Sequence, residues 1–183
     1  MKIKAVTFFG HSEAGPETEE FQAAKKSAFL LAKKGITIVN GAGPGVMKAS
    51  TLGAKKAGGK TIGVSFKSEG MTFFEGQDST NPVDKEIIAE DYWQRTKKLL
   101  ELGDVYVVFN GGTGTVSEFG MAWGLARLFF GKHKPMLLYG SWWHEIMEAF
   151  GKNMRLRDEE LRVYEIVSTP EQVAEEIEEL SLS

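Results

Sequence analysis

Residues 102–123, LGDVYVVFNGGTGTVSEFGMAW, run a short apolar segment (105–109) into Asn110-Gly111-Gly112-Thr113-Gly114-Thr115 and then into a segment of helical composition. A buried strand that feeds a glycine turn and a helix start is a way to hold a phosphate. The first N–H groups of a helix lack intrahelical acceptors, and the helix dipole favours an anion beside them. Glu118, the first acidic residue after the turn, falls where the helix begins. The turn therefore brings a carboxylate close to the bound anion.

The same alternation continues on both sides of this stretch. Strands are expected at 3–9, 36–39, 61–65, 105–109, 135–139 and 164–167, and helices at 17–34, 44–57, 84–102, 116–130, 142–150 and 170–180. Near-continuous apolar strands separated by amphipathic helices imply a mostly parallel sheet with both faces covered. Right-handed crossovers then give an α/β, three-layer αβα, Rossmann-like fold. With 183 residues, 42% of them hydrophobic, one domain over 1–183 is expected, with no linker or internal repeat. Residues 66–82 are weakly patterned and mix Phe73 and Phe74 with Gly70, Gly76, Asn81 and Pro82. This stretch reads either as a cover for a ligand at the strand ends or as an ordinary loop whose aromatics pack on the body or a partner subunit.

Composition removes several function classes. Lysine and arginine total 22 against 25 acidic residues, a net charge of −3 without blocks of one sign. Nucleic acid is thus not an expected partner, since affinity for it rests on clustered cations. Cysteine is absent, which excludes disulfides, thiolate nucleophiles and cysteine-based metal sites. The N-terminal segment reads as a first strand rather than a signal peptide, and no run approaches the ~18 apolar residues that span a bilayer. A cytoplasmic protein without membrane association is the expectation.

Three strand ends carry small residues: Gly10-His11-Ser12 with Gly15, then Gly41, Gly43 and Gly45, then Gly111 to Thr115. In a parallel sheet these ends converge on one edge. None is a dinucleotide fingerprint, because Gly41-Ala42-Gly43-Pro44-Gly45 lacks the G-x-G-x-x-G spacing and Ser65 and Phe66 stand where an acidic residue should end the next strand. No G-x-x-x-x-G-K-[ST] motif is present either. Phosphate binding at the 111–115 turn is expected; NAD binding is not.

Glu118 admits two readings. Thr115-x-x-Glu118 is a capping-box pattern in which both side chains satisfy N–H groups at the helix start; alternatively, a bound phosphate takes those groups and leaves Glu118 facing the ligand. Arg95 stands apart from the polar face drawn by Gln94, Lys97, Lys98 and Glu101 and shares a stripe with Leu99 and Leu102. An arginine on the inward side of a helix needs a partner, because burying an unpaired guanidinium is costly. It either snorkels, pairs with a structural carboxylate, or holds a carboxylate or ligand anion. His11 can touch a ligand, whereas His133 and His144 read as surface residues, and no metal-ligand spacing is present. Exposed aromatics on the later helices would imply a homodimer or higher homo-oligomer.

Taken together, these segments resemble the LOG (Lonely Guy) family, which also carries a lysine decarboxylase label. The resemblance runs from VTFFGHSEAG through VNGAGPGVMKA and GGKTIGV to MLLYGSWWHEIMEAF. The family signature P-G-G-x-G-T-x-x-E is matched by Asn110 to Glu118, and M-x-x-R-K by Tyr92-Trp93-Gln94-Arg95-Thr96, with Asn110, Tyr92 and Thr96 departing from it. The resemblance implies a nucleoside 5′-monophosphate phosphoribohydrolase that cleaves the N-glycosidic bond of a cytokinin riboside monophosphate or an AMP-like substrate. Arg95 and Glu118 would be its catalytic pair. Gly111, Gly112, Thr113, Gly114 and Thr115 would hold the 5′-phosphate, Gly43, Gly45 and Met47 would lie along the nucleotide, and Ser12 would sit at the mouth. No metal or cofactor is required. The wider superfamily implies an alternative, a non-catalytic carrier of a nucleotide or of the molybdenum cofactor. Nothing points to a pyridoxal phosphate lysine.

Overall fold

The structure, a computed structural model, describes residues 2–71 and 77–182. In chain order the elements are β1 (Ala5–Phe9), α1 (Glu19–Lys33), β2 (Thr37–Asn40), α2 (Val46–Lys56), β3 (Thr61–Phe66), β4 (Lys85–Ala89), α3 (Tyr92–Leu102), β5 (Val105–Val108), α4 (Thr113–Leu128), β6 (Met136–Tyr139), α5 (Trp143–Asn153), a 3-10 turn (Asp158–Arg162), β7 (Glu165–Val167) and α6 (Pro170–Leu182). The seven strands are parallel in the order β4-β3-β2-β1-β5-β6-β7. Strand order reverses between β1 and β5. The loops leaving these two strands diverge to opposite faces of the sheet, and the crevice between them is where such folds bind ligands.

The two faces follow from side-chain alternation along the strands. Val6 and Phe8 of β1, with Val105, Val107 and Phe109, pack with Ala24, Leu31, Val173 and Ile177 of α1 and α6. Phe9, Tyr106 and Val108 pack on the other face with Leu99, Phe119 and Met147 of α3, α4 and α5. Thr7 shares that second face, and its hydroxyl donates to the Leu99 carbonyl at 3.0 Å. The expected three-layer parallel architecture is the one observed.

One element differs from expectation. Residues 84–102 form not a single helix but an edge strand, β4, followed by α3. Asp84 fixes the strand: its Oδ2 accepts from both the backbone and the hydroxyl of Thr61 at 2.9 Å, and its own N–H donates back to that hydroxyl at 2.8 Å. Asp91 then starts the helix, its Oδ1 accepting from the Gln94 N–H at 2.7 Å. β4 lies at the sheet edge with its side chains exposed or half-buried, so its sequence carries no continuous apolar run. Among the described residues, no helix is long and apolar enough to cross a membrane.

Residues 72–76, which include Phe73, Phe74 and Gly76 of the weakly patterned stretch, lie outside the described residues. On either side of them, Met71 reaches the strand-end crevice, and Asp78 and Asn81 tie the chain to the β2–α2 connection. The Asp78 N–H donates to the Ala42 carbonyl at 3.0 Å, and Asn81 Nδ2 donates to the Gly43 carbonyl at 2.9 Å.

Candidate functional site

Arg95 projects inward from the first turn of α3 and is buried. Each of its three guanidinium nitrogens has a protein acceptor. Nε donates to the Val64 carbonyl of β3 at 3.0 Å, Nη2 to the Gly41 carbonyl at 3.3 Å, and Nη1 to Glu118 Oε1 at 2.9 Å. The rings of Phe66 and Tyr92 flank the guanidinium at 5.9 and 6.0 Å. A buried cation is tolerable only when paired and hydrogen-bonded, and both conditions are met here.

Glu118 lies in the second turn of α4 and is as buried as its partner. The capping-box reading therefore fails. The helix cap is Gly112, and no side chain caps the helix. Thr115 and Glu118 are consequently past the positions a capping box needs. Burial pushes the Glu118 carboxyl above the usual glutamate range, and Arg95 pulls against that shift without cancelling it. Its second oxygen has no hydrogen-bond partner among the described residues, and the residue lines an open cleft of about 510 Å³.

The first turn of α4 also lines that cleft. Because no side chain caps it, the N–H groups of Thr113, Gly114 and Thr115 are available to an anion at the positive end of the helix. A side-chain methyl on Gly112 would meet no atom within 4 Å, so the chain is open to solvent at this point. The neighbouring loops are locked to this turn by backbone bonds. The His11 N–H donates to the Asn110 carbonyl at 2.8 Å, and the Val46 N–H donates to the His11 carbonyl at 2.9 Å.

Of the residues singled out from the sequence, Ser12, Met47, Arg95, Gly112, Thr113, Gly114, Thr115 and Glu118 line this one cleft. Gly43, Gly45 and Gly111 do not, and instead shape its walls. Gly45 has φ +63, and a Cβ there would lie 2.1 Å from the His11 carbonyl oxygen. A Cβ on Gly111 would press on Thr115 and on His11, and the Gly43 carbonyl is held by Asn81.

A profile of the SLOG cluster4 family matches residues 3–161. The chain belongs to that family. It is 30% identical over 128 residues to a cytokinin riboside 5′-monophosphate phosphoribohydrolase of Mycobacterium tuberculosis, a match covering 69% of this chain and spanning 65% of that relative. Its fold is shared with a molybdenum cofactor binding protein of Rippkaea orientalis, at 24% identity and TM-score 0.72 over 98% of both chains. The molybdenum cofactor carrier protein of Chlamydomonas reinhardtii is likewise similar, at 20% identity and TM-score 0.71 over 100% of this chain and 99% of that one. This SLOG-family chain thus has a phosphoribohydrolase as a sequence relative and shares its fold with a molybdenum-cofactor binding protein and a molybdenum-cofactor carrier.

Two of its three departures from the LOG motif acquire a structural account. Thr96 is fully buried, does not line the cleft, and donates its hydroxyl back to the Tyr92 carbonyl at 3.1 Å. Tyr92 does line the cleft, where its ring and hydroxyl both make contacts. Nothing in the structure explains Asn110, since its carbonyl bond to His11 is one any residue makes. Several lining residues were not singled out as binding positions from the sequence: Phe8, Phe9 and Phe66 lie at the ends of β1 and β3, and Met71 lies in the connection after β3. Their signal was that position alone. Asn40 was also missed. Fully buried, it accepts from the Ala42 N–H at 2.9 Å and donates to the Met47 carbonyl at 3.0 Å, holding Ala42 at φ 59 so that Gly41 and Met47 face the cleft.

Proposed function

We propose that this chain binds a small phosphorylated ligand, a nucleoside monophosphate or a molybdenum-cofactor-type molecule, with the phosphate on the N–H groups of residues 112–115. The observation that carries this reading is the uncapped first turn of α4, open to solvent and facing a cleft. Arg95, Glu118, Met47 and Ser12 would line the rest of the ligand, with Gly43, Gly45 and Gly111 shaping the walls. The comparisons lend more support to holding the ligand than to cleaving it. The molybdenum-cofactor binding and carrier proteins are matched in fold over nearly their whole length, whereas the hydrolase is matched in sequence over 65% of its length. In a carrier the molybdenum cofactor would be cargo, and its phosphate would use the same turn. Among the described residues no cluster of His, Asp or Glu could hold a metal, so the phosphate and the planar body would supply the recognition.

The second reading, N-glycosidic hydrolysis, has its own support in the Arg95–Glu118 pair. A carboxylate held above its usual range, with one oxygen toward the cleft, suits a base that activates water against a ribosyl cation-like centre. The analogy with glycoside hydrolysis is chemical. Water would add to C1 of the ribose as its proton passes to Glu118. The base would leave with the electron pair of the broken C1–N bond and take up that proton, and ribose 5-phosphate would remain. Arg95, already engaged by Val64 and Gly41, would orient the carboxylate rather than grip the phosphate.

One experiment separates the readings. The protein is incubated with a panel of nucleoside monophosphates, ribose 5-phosphate is assayed, and native mass spectrometry searches for a co-purified ligand. Release of base supports hydrolysis, and a retained ligand without turnover supports the carrier. Failure to bind any phosphorylated compound overturns both. The same proposal includes a homodimer or higher homo-oligomer, supported by the exposure of Trp93 on α3, of Leu125 and Leu128 on α4, and of Phe129 at its C-terminal cap. A monomeric mass by sedimentation at micromolar concentration would remove that part.

A further inference from the structure

Two struts join the N-terminal turns of α3 and α4. One is the buried Arg95–Glu118 pair. The other lies three residues earlier on α3 and one residue earlier on α4, where the Tyr92 hydroxyl and Ser117 Oγ share a hydrogen bond. Ser117 Oγ also donates to the Gly114 carbonyl at 2.8 Å, and the Tyr92 hydroxyl lies 3.4 Å from that same oxygen. Gly114 belongs to the turn whose N–H groups face the cleft. The Tyr92 ring meets Phe66 edge-on, with centroids 5.7 Å apart at 73°, and the Arg95 guanidinium lies beside both rings. Tyr92 is therefore fastened at both ends: its hydroxyl to the anion turn, and its ring to the wall that shields the ion pair.

We propose that Tyr92 is a positioning residue with two separable actions: its hydroxyl, through Ser117, fixes the 112–115 turn against α3, and its ring keeps water from the Arg95–Glu118 pair. Methionine, the residue of the related motif, has neither the hydroxyl nor the flat ring that these two actions use. The first action rests on the reading that the turn binds phosphate, whereas the second does not depend on it. The charged group facing Glu118 is Arg95 from α3; the titratable side chains of His11 and Glu13, from the β1–α1 connection, line the same cleft.

Three variants divide these actions. Tyr92→Phe keeps the ring and removes the hydroxyl, Ser117→Ala removes the hydroxyl's partner, and Tyr92→Met removes ring and hydroxyl together. Binding of AMP and of inorganic phosphate is measured by calorimetry, and the Glu118 side-chain carboxyl is titrated by carbon-13 NMR. Tyr92→Phe and Ser117→Ala are expected to weaken AMP binding about fivefold, the worth of one ordinary hydrogen bond, and to leave the Glu118 titration in place. Tyr92→Met is expected to weaken AMP binding by as much and also to move the Glu118 titration down toward the usual glutamate range, because water then reaches the pair. Lower melting temperatures with unchanged AMP affinity and an unchanged Glu118 titration in all three variants would overturn the proposal. If the wild type binds neither AMP nor phosphate, the phosphate reading and the hydroxyl's action fall together. The NMR titration of Tyr92→Met still decides the ring's action, up or down.

Discussion

Arg95 and Glu118, 23 residues apart in sequence, meet at 2.9 Å as a buried pair whose arginine is also fastened to the Val64 and Gly41 carbonyls. The guanidinium thereby links α3, the end of β3, the β2–α2 connection and α4. A charge in that position is both a structural joint and an orienting group, and the two roles can be measured apart.

Glu118→Gln keeps an oxygen that can accept from Arg95. The fold should survive at reduced stability, because the buried Arg95 then lacks its anion. Ligand affinity should hold, and any release of ribose 5-phosphate should fall by roughly 10² or more if the carboxylate acts as a general base. Equal turnover by the two proteins would remove Glu118 from the chemistry.

Arg95→Met should destabilise the fold by about 3–5 kcal/mol, because it leaves a buried carboxylate without its cation. Urea unfolding of the variant reads this directly. Combining it with Glu118→Gln should recover part of the loss, since the uncompensated charge is then gone. Equal instability of the double and single variants would show that the Val64 and Gly41 bonds, not the ion pair, carry the effect.

Glu118 should also set an acid limb. Burial raises its carboxyl above the usual range, so a base at this position takes up its proton at a higher pH than an ordinary glutamate. A plot of kcat/KM against pH should fall on the acid side above the usual glutamate range. The stability contribution has the same origin. A carboxyl whose folded pKa is raised favours the folded state fully below the unfolded value and loses that contribution as pH rises through the folded one. Glu118→Gln should remove this pH dependence from unfolding curves collected across the limb.

Gly112 and Gly45 should respond in opposite ways to alanine. At Gly112 the added methyl meets nothing within 4 Å and projects at the anion turn, so stability should hold while phosphate affinity drops. Gly45 has φ +63 and sits against the His11 carbonyl, so Gly45→Ala should unfold at lower denaturant, losing at least about 1 kcal/mol. Paired melting and calorimetry on the two variants test the contrast.

Much of the architecture was readable before any coordinates. Buried parallel strands such as 105–109 must be apolar on both faces, and helices such as α1 must carry one apolar stripe, so composition and period reveal them. β4 escaped because an edge strand needs neither. Lys85 to Ala89 is half-exposed, and its identity comes from the bonds between Asp84 and Thr61, 23 residues apart in the chain. The candidate site divides in the same way. The glycine turn and the inward face of Arg95 are local patterns, whereas Phe66, Tyr92 and Asn40 reach the cleft or support it only through packing.

By itself the sequence determined the alternation of strand and helix, the small residues at three strand ends, and the turn that opens α4. These are local properties of backbone freedom and side-chain period. It left Glu118 balanced between a helix cap and a partner for something else, because both readings need the same residues at the same spacing. The tertiary structure decided between them by starting α4 at Thr113, which puts Glu118 beyond the cap, and by bringing Arg95 to it from α3 on the same face of the sheet. A buried ion pair between distant residues is a property of the folded packing, and no local pattern encodes it.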